Sequence, residues 1–111
     1  MQIEHDKLGA VSVIRPTGPL IGSDAPSLLG AVREQVATSF GRFVLDLSRV
    51  PFVDSQGLEA LADAGQELET TGLGLKVCGA NEVLREVFDL TGVNGLFEQY
   101  ADVQSAVRTF L

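Results

Sequence analysis

Two short apolar runs constrain the fold of this chain more than any other feature. Phe43-Val44-Leu45-Asp46-Leu47 and the stretch from Leu73 to Cys78 are each strand-length and dominated by apolar side chains. Runs of this kind suit strands covered on both faces. Each is followed by a segment whose apolar residues fall at helical spacing. After the first come Leu58, Leu61, Ala62, Gly65 and Leu68, closed by Thr71-Gly72. After the second, Asn81 is placed to cap a helix carrying Val83, Leu84, Val87, Phe88 and Leu90, which stops at Thr91-Gly92. Buried strands alternating with amphipathic helices imply right-handed crossovers and a largely parallel sheet.

The remaining segments extend that frame. Ile3 to His5 and Ala10 to Arg15 are β-prone, with Asp6-Lys7-Leu8-Gly9 as the turn of a hairpin. Pro16, which has no N–H to give a ladder, is expected to end the second strand. Thr17 to Gly22 reads as a loop or short irregular strand. Ser23-Asp24 offers N-cap oxygens to a helix that tolerates Pro26 in its first turn. That helix sets Leu28, Leu29, Val32 and Val36 on one side and runs to about Ser39, where Gly41 breaks it. Leu96-Phe97 suits a brief edge strand, and Asp102 caps a last helix with Val103, Ala106, Val107 and Phe110 on one face. The expected fold is α/β: one domain over residues 1–111, with a mixed, mostly parallel sheet, an N-terminal β-hairpin and about four helices.

Charge narrows the choice of partner. The 111 residues carry a formal net charge of -7, and the basic residues are scattered, so nucleic acid and anionic membranes would be repelled. A protein partner with a neutral or basic docking face is the natural expectation. The lone Cys78 has no disulfide partner within the chain, which fits a reducing compartment. No N-terminal stretch resembles a signal peptide, and no run is long enough to insert in a bilayer. These features together point to the cytoplasm.

Ser55, in Val53-Asp54-Ser55-Gln56-Gly57, sits where a buried strand turns into a helix. Such a serine invites comparison with a nucleophile elbow, but the glycine two places before it is missing. Its hydroxyl would also need a base; the only histidine, His5, belongs to the hairpin, and no lysine falls in the motif. One His and one Cys far apart cannot form a zinc set. Asp24, Asp46 and Asp54 read better as helix caps and a strand-end carboxylate than as a hard-cation site. Gly72-Leu73-Gly74 enters a strand rather than a helix, so no phosphate loop is present. A phosphoaspartate receiver would need an acidic pair after the first strand, and none is there. No catalytic, metal or cofactor site is expected.

By spacing alone, Asp54 or Ser55 caps the second helix, and Gly57 allows close backbone approach. A phosphate on Ser55 would add a charge of about -1.5 to -2 at the positive end of that helix, where the fold tolerates it. Ser55 shares a helical flank with Glu59, Asp63 and Gln66. Phosphorylation would therefore enlarge an acidic stripe and repel a partner matched to the free hydroxyl.

Phe43-Val44-Leu45-Asp46-Leu47-Ser48, followed by Val50-Pro51-Phe52-Val53-Asp54-Ser55-Gln56-Gly57-Leu58, resembles the signature of STAS domains of the anti-sigma factor antagonist type. Gly18-x-Leu20 and Leu75-Lys76-Val77-Cys78-Gly79 add to the resemblance, which runs from about Ser12 to the C-terminus. It implies a partner switch. The unphosphorylated form would bind an anti-sigma factor of the histidine-kinase-like ATPase type that is also a serine kinase. Phosphorylation of Ser55 would break the complex, and a serine phosphatase would reset it. ATP would belong to the partner, so the chain itself would be neither enzyme nor cofactor-binding. Asp54, Ser55, Gln56 and Gly57 would form the docking face, with Glu59 and Asp63 on its flank and Ser23 and Asp24 from the loop before the first helix. Ile21 stands where many antagonists carry the aspartate of Gly-x-Leu-Asp, and Gln56 where a small residue is common. Two alternatives follow from the same resemblance: a subunit of a lipid-transporting ABC complex, and a self-associating component of a stress-signalling scaffold.

Overall fold

A computed structural model describes all residues from Met1 to Leu111. Strands β1 (Gln2–Leu8) and β2 (Val11–Thr17) form the hairpin; helix α1 (Asp24–Ser39), strand β3 (Phe43–Asp46), helix α2 (Ser55–Glu69) and strand β4 (Leu75–Cys78) follow. Helix α3 (Glu82–Thr91), a 3-10 turn over Val93–Leu96, strand β5 (Phe97–Tyr100) and helix α4 (Val103–Arg108) complete the chain. The five strands lie in the order β1-β2-β3-β4-β5. Only β1 and β2 are antiparallel; every later pairing is parallel.

That steady order decides where the helices go. Successive crossovers of one hand, each moving one strand along, place their helices on the same side of a sheet. Side chains from α1, α2 and α3 accordingly share one core with Ile14, Phe43, Leu45, Leu75 and Val77. The opposite face holds a smaller cluster of Val11, Val13, Val44, Cys78 and Ala106, covered by α4. Fully buried side chains such as Phe43, Phe88 and Leu61 each contribute about 1.5–3 kcal/mol by leaving water.

The hairpin differs from its sequence reading in two ways. Asp6, Lys7 and Leu8 continue β1, and Leu8 pairs with Val11 across a two-residue turn of Gly9 and Ala10. Gly9 takes φ +63, as the first central residue of such a turn requires. Polar Asp6 and Lys7 look like turn residues but lie on an exposed edge strand, where charge discourages further pairing. Pro16 does not end β2; it stands opposite Ile3. Counting from the turn, that is a non-hydrogen-bonded pair, and the parallel ladder to β3 stops at Ile14. Neither neighbour asks for the missing N–H.

The helix ends follow local chemistry. Asn81 accepts from the Leu84 N–H (2.8 Å) and Asp102 from the Ser105 N–H (2.8 Å), so both expected caps form. Ser23 does not cap α1: it has helical dihedrals and makes no side-chain cap. Instead, the Asp24 and Ala25 N–H groups donate back to the Ile21 and Gly22 carbonyls, a tight entry turn that satisfies the first donors without a side chain.

Candidate functional site

The loop after β2 and the loop after β3 run side by side at the carboxyl edge of the sheet. Gly18 N–H donates to the Arg49 carbonyl (3.0 Å) and Leu20 N–H to the Phe52 carbonyl (3.1 Å). Asp54 N–H donates to the Leu20 carbonyl (3.3 Å), and Leu20 and Val53 form a parallel bridge. Leu20 is completely buried beneath this contact. The Gly18-x-Leu20 element therefore works as a short strand that carries the start of α2.

Asp54 locks this arrangement. One carboxylate oxygen accepts from the Gly57 N–H (2.8 Å), capping α2; the other accepts from the Gly22 N–H (2.9 Å), across 32 positions of sequence. The bonds from Gly57 and Gly22 hold its carboxyl below the usual carboxylate range, despite some opposing desolvation. Gly57 fits because nothing larger can: a Cβ there would lie 2.2 Å from the Leu20 carbonyl oxygen.

Ser55 is thus the first residue of the helix rather than its cap, and its side chain is exposed, as are those of Gln56 and Glu59. Asp63, half-buried, continues the flank one turn on. Between α1 and α2 lies an open groove of about 320 Å³, lined by Ala25, Pro26 and Leu29 on one side and Gln56, Glu59 and Asp63 on the other. The fold gathers Asp54, Ser55, Gln56 and Gly57 at the start of α2, with Glu59 and Asp63 one and two turns further along the same flank. Ser23 is exposed just beyond the Gly22 latch, and the Asp24 carboxylate instead faces the Met1 amino group at 3.7 Å. Two residues the sequence reading did not assign to the docking face, Ile21 and Phe52, are exposed beside this helix start at 39 % and 48 %. They sit outside the buried Leu20–Val53 bridge, on alternate positions that a short strand points outward.

Other titratable groups have structural partners. Burial would raise the Asp46 carboxyl, but hydrogen bonds from Arg15 (2.7 Å) and Ser48 outweigh it and the net shift is downward. The Arg15 guanidinium is raised in turn, first by its bond to Asp46. Burial pushes the Cys78 thiol up to about 12, with Asp46 adding to the shift. The buried Lys76 ammonium pairs with Glu98 and lies 5.0 Å from the centre of the Phe110 ring. His5 faces outward on edge strand β1. No three His, Cys, Asp or Glu side chains gather to hold a metal, and no helix is long and apolar enough to cross a membrane.

An exposed serine thus stands at this helix start, flanked by carboxylates and apolar side chains. The STAS domain profile matches residues 2–106, and the chain belongs to that family. An anti-sigma factor antagonist from Mycobacterium paratuberculosis is 30 % identical, with a TM-score of 0.84 over 97 % of this chain and 92 % of that one. BtrV of Bordetella bronchiseptica is 26 % identical over 110 residues, 99 % of this chain and 95 % of its own. The Bacillus cell fate determinant SpoIIAA, solved in its phosphorylated form, shares the fold at 18 % identity, with a TM-score of 0.70 over 97 % of this chain and 99 % of that one. The expected α/β architecture, with its hairpin, mostly parallel sheet and four helices, is the one observed. As a member of this family the chain is a regulatory binding module, not an enzyme.

Proposed function

We propose that this chain is an anti-sigma factor antagonist working in the cytoplasm, switched by a phosphate on Ser55. In its hydroxyl form it binds a histidine-kinase-like ATPase that holds a sigma factor, and so releases that factor. The ATPase then transfers the γ-phosphoryl group of ATP to the Ser55 oxygen; the P–O bond to the leaving ADP breaks and the hydroxyl proton is lost. The modified chain lets go, and a serine phosphatase restores it by hydrolysis.

One observation carries this reading: Asp54 caps α2 and leaves Ser55 with an exposed hydroxyl. A phosphate can be added there without costing the helix its cap. The charge would meet the positive end of the α2 dipole, which favours it, while Asp54 and Glu59 make the surrounding surface more acidic. Of the four cationic side chains paired in salt bridges (Arg15, Arg33, Arg49 and Lys76), only Arg49 belongs to the two loops of the site, and it is paired with Glu4 on β1. SpoIIAA, which shares the fold, is known in phosphorylated and unphosphorylated forms.

The test is to incubate the chain with ATP and each histidine-kinase-like ATPase of its source genome, then map phosphate by mass spectrometry. Label on Ser55, absent from Ser55→Ala, is the expected result. Label elsewhere, or none with any ATPase, would remove the phosphate switch.

A further inference from the structure

Four of the eight large apolar side chains left in water lie along one path. Ile21 and Phe52 flank the start of α2, at 39 % and 48 % exposure. The Asn81 side-chain amide donates to the Pro51 carbonyl (3.1 Å), which draws the start of α3 against the Phe52 loop. From there, Val83 and Leu90 stand 55 % and 79 % exposed, with half-buried Val87 between them. Positions 83, 87 and 90 are i, i+4 and i+7, so they form one stripe down the helix.

This stripe is separate from the face of α3 that holds the core, which is carried by Leu84 and Phe88. On its other side, Glu82, Glu86 and Asp89 fall in a row at helical spacing, all exposed. None of them takes part in a salt bridge within the chain. An apolar seam with an acidic border on one side is the surface that an amphipathic helix with a basic border would fit.

We infer that the ATPase partner docks along this path, from Ile21 and Phe52 beside Ser55 to the Val83-Val87-Leu90 stripe of α3, through a helix with an apolar face bordered by Lys or Arg. The inference rests on the partner-switch reading and extends its contact surface by the length of α3. Charge selects the occupant. A second copy of this chain, at net charge -7, would set acidic rows against each other, and like charges across an interface are costly. A basic-bordered helix would neutralise the row. Continuity with the Ser55 face explains why a phosphate at one end could loosen the whole contact.

Phe52→Ser, Val83→Ser and Leu90→Ser change exposed side chains, and Phe40→Ser, at 82 % exposure on the opposite edge of the sheet, is the control. Each is first checked for an unchanged melting temperature, then titrated calorimetrically against the purified ATPases of the panel used for Ser55 labelling. Affinity falling about tenfold in the Phe52 and Val83 variants, with Phe40→Ser unchanged, is expected for residues at the centre of an interface. Wild-type affinity in all three path variants, while Ser55→Asp still weakens binding, would overturn this path and leave the switch standing. Binding by no ATPase would overturn both. A homodimer in light scattering that Phe52→Ser dissolves would assign the path to self-association and overturn the occupant inferred here.

Discussion

Gly57 lies so close to Leu20 that the methyl group of an alanine would press to within 2.2 Å of the Leu20 carbonyl oxygen. The obstacle is backbone that is itself hydrogen-bonded to Asp54, so it cannot swing aside. This contact fixes α2, and with it Ser55, against the loop after β2. Gly57→Ala should destabilise the chain by about 3 kcal/mol, the upper end of ordinary overpacking, in a urea titration. It should also lower the rate of Ser55 labelling under conditions where the variant is folded. A variant as stable as wild type would show that the two loops are not held together here.

Ser55→Ala should leave stability almost unchanged. Were Ser55 the cap, one of the two readings open from spacing, this would be a costly change, but Asp54 supplies the cap. Surface substitutions free of such duties stay within about 0.5 kcal/mol. A marked loss of stability in thermal melts would return the serine to a structural role.

Asp54 ties the start of α2 to the loop before α1, and its carboxyl is held below the ordinary range by the Gly57 and Gly22 amides. A carboxyl depressed in the folded state stabilises it above the unfolded pKa of about 3.9 and loses that contribution as pH falls through the folded value. The site should be fully anchored at neutral pH and loosen in acid. Asp54→Asn keeps one acceptor oxygen but cannot ionise. Urea midpoints measured from neutral pH down through the carboxylate range should show wild type ahead at the top and the two proteins converging at the bottom. A constant gap across the range would contradict the linkage.

Cys78 should be inert in the native chain. Burial and the neighbouring Asp46 raise its thiol to about 12, so little thiolate exists near neutral pH. A thiol reagent such as dithionitrobenzoate should label it only after denaturant is added. Rapid labelling of the folded protein would mean that the cover given by α4 is not maintained.

Local chemistry made much of the fold readable. Asn81 and Asp102 announce their helices because a short polar side chain beside an apolar-periodic run has one obvious use, and Phe43 to Leu47 reads as buried because Asp46 alone interrupts its apolar side chains. Errors arose where tertiary context overrode local preference. Asp6 and Lys7 continue a strand because an edge exposes both faces, and Pro16 is tolerated because no neighbour needs its N–H. Ser23 is passed over because the Ile21 and Gly22 carbonyls already satisfy the first turn. Val83 and Leu90 match the helical period yet face water, since periodicity locates an apolar side but not what covers it. At the site, spacing left Asp54 and Ser55 as rival caps. Asp54 takes the cap through the Gly57 N–H, and the Gly22 bond that also holds it crosses 32 positions, which no local pattern encodes.

The central claim is that a phosphate on Ser55 ends the complex. Its most direct test is a calorimetric titration of the purified ATPase with the chain before and after complete Ser55 phosphorylation, at one salt concentration. The account predicts that phosphorylation weakens binding by at least about tenfold, or about 1.4 kcal/mol, while circular dichroism shows the fold unchanged. Equal affinity for the two forms would contradict it.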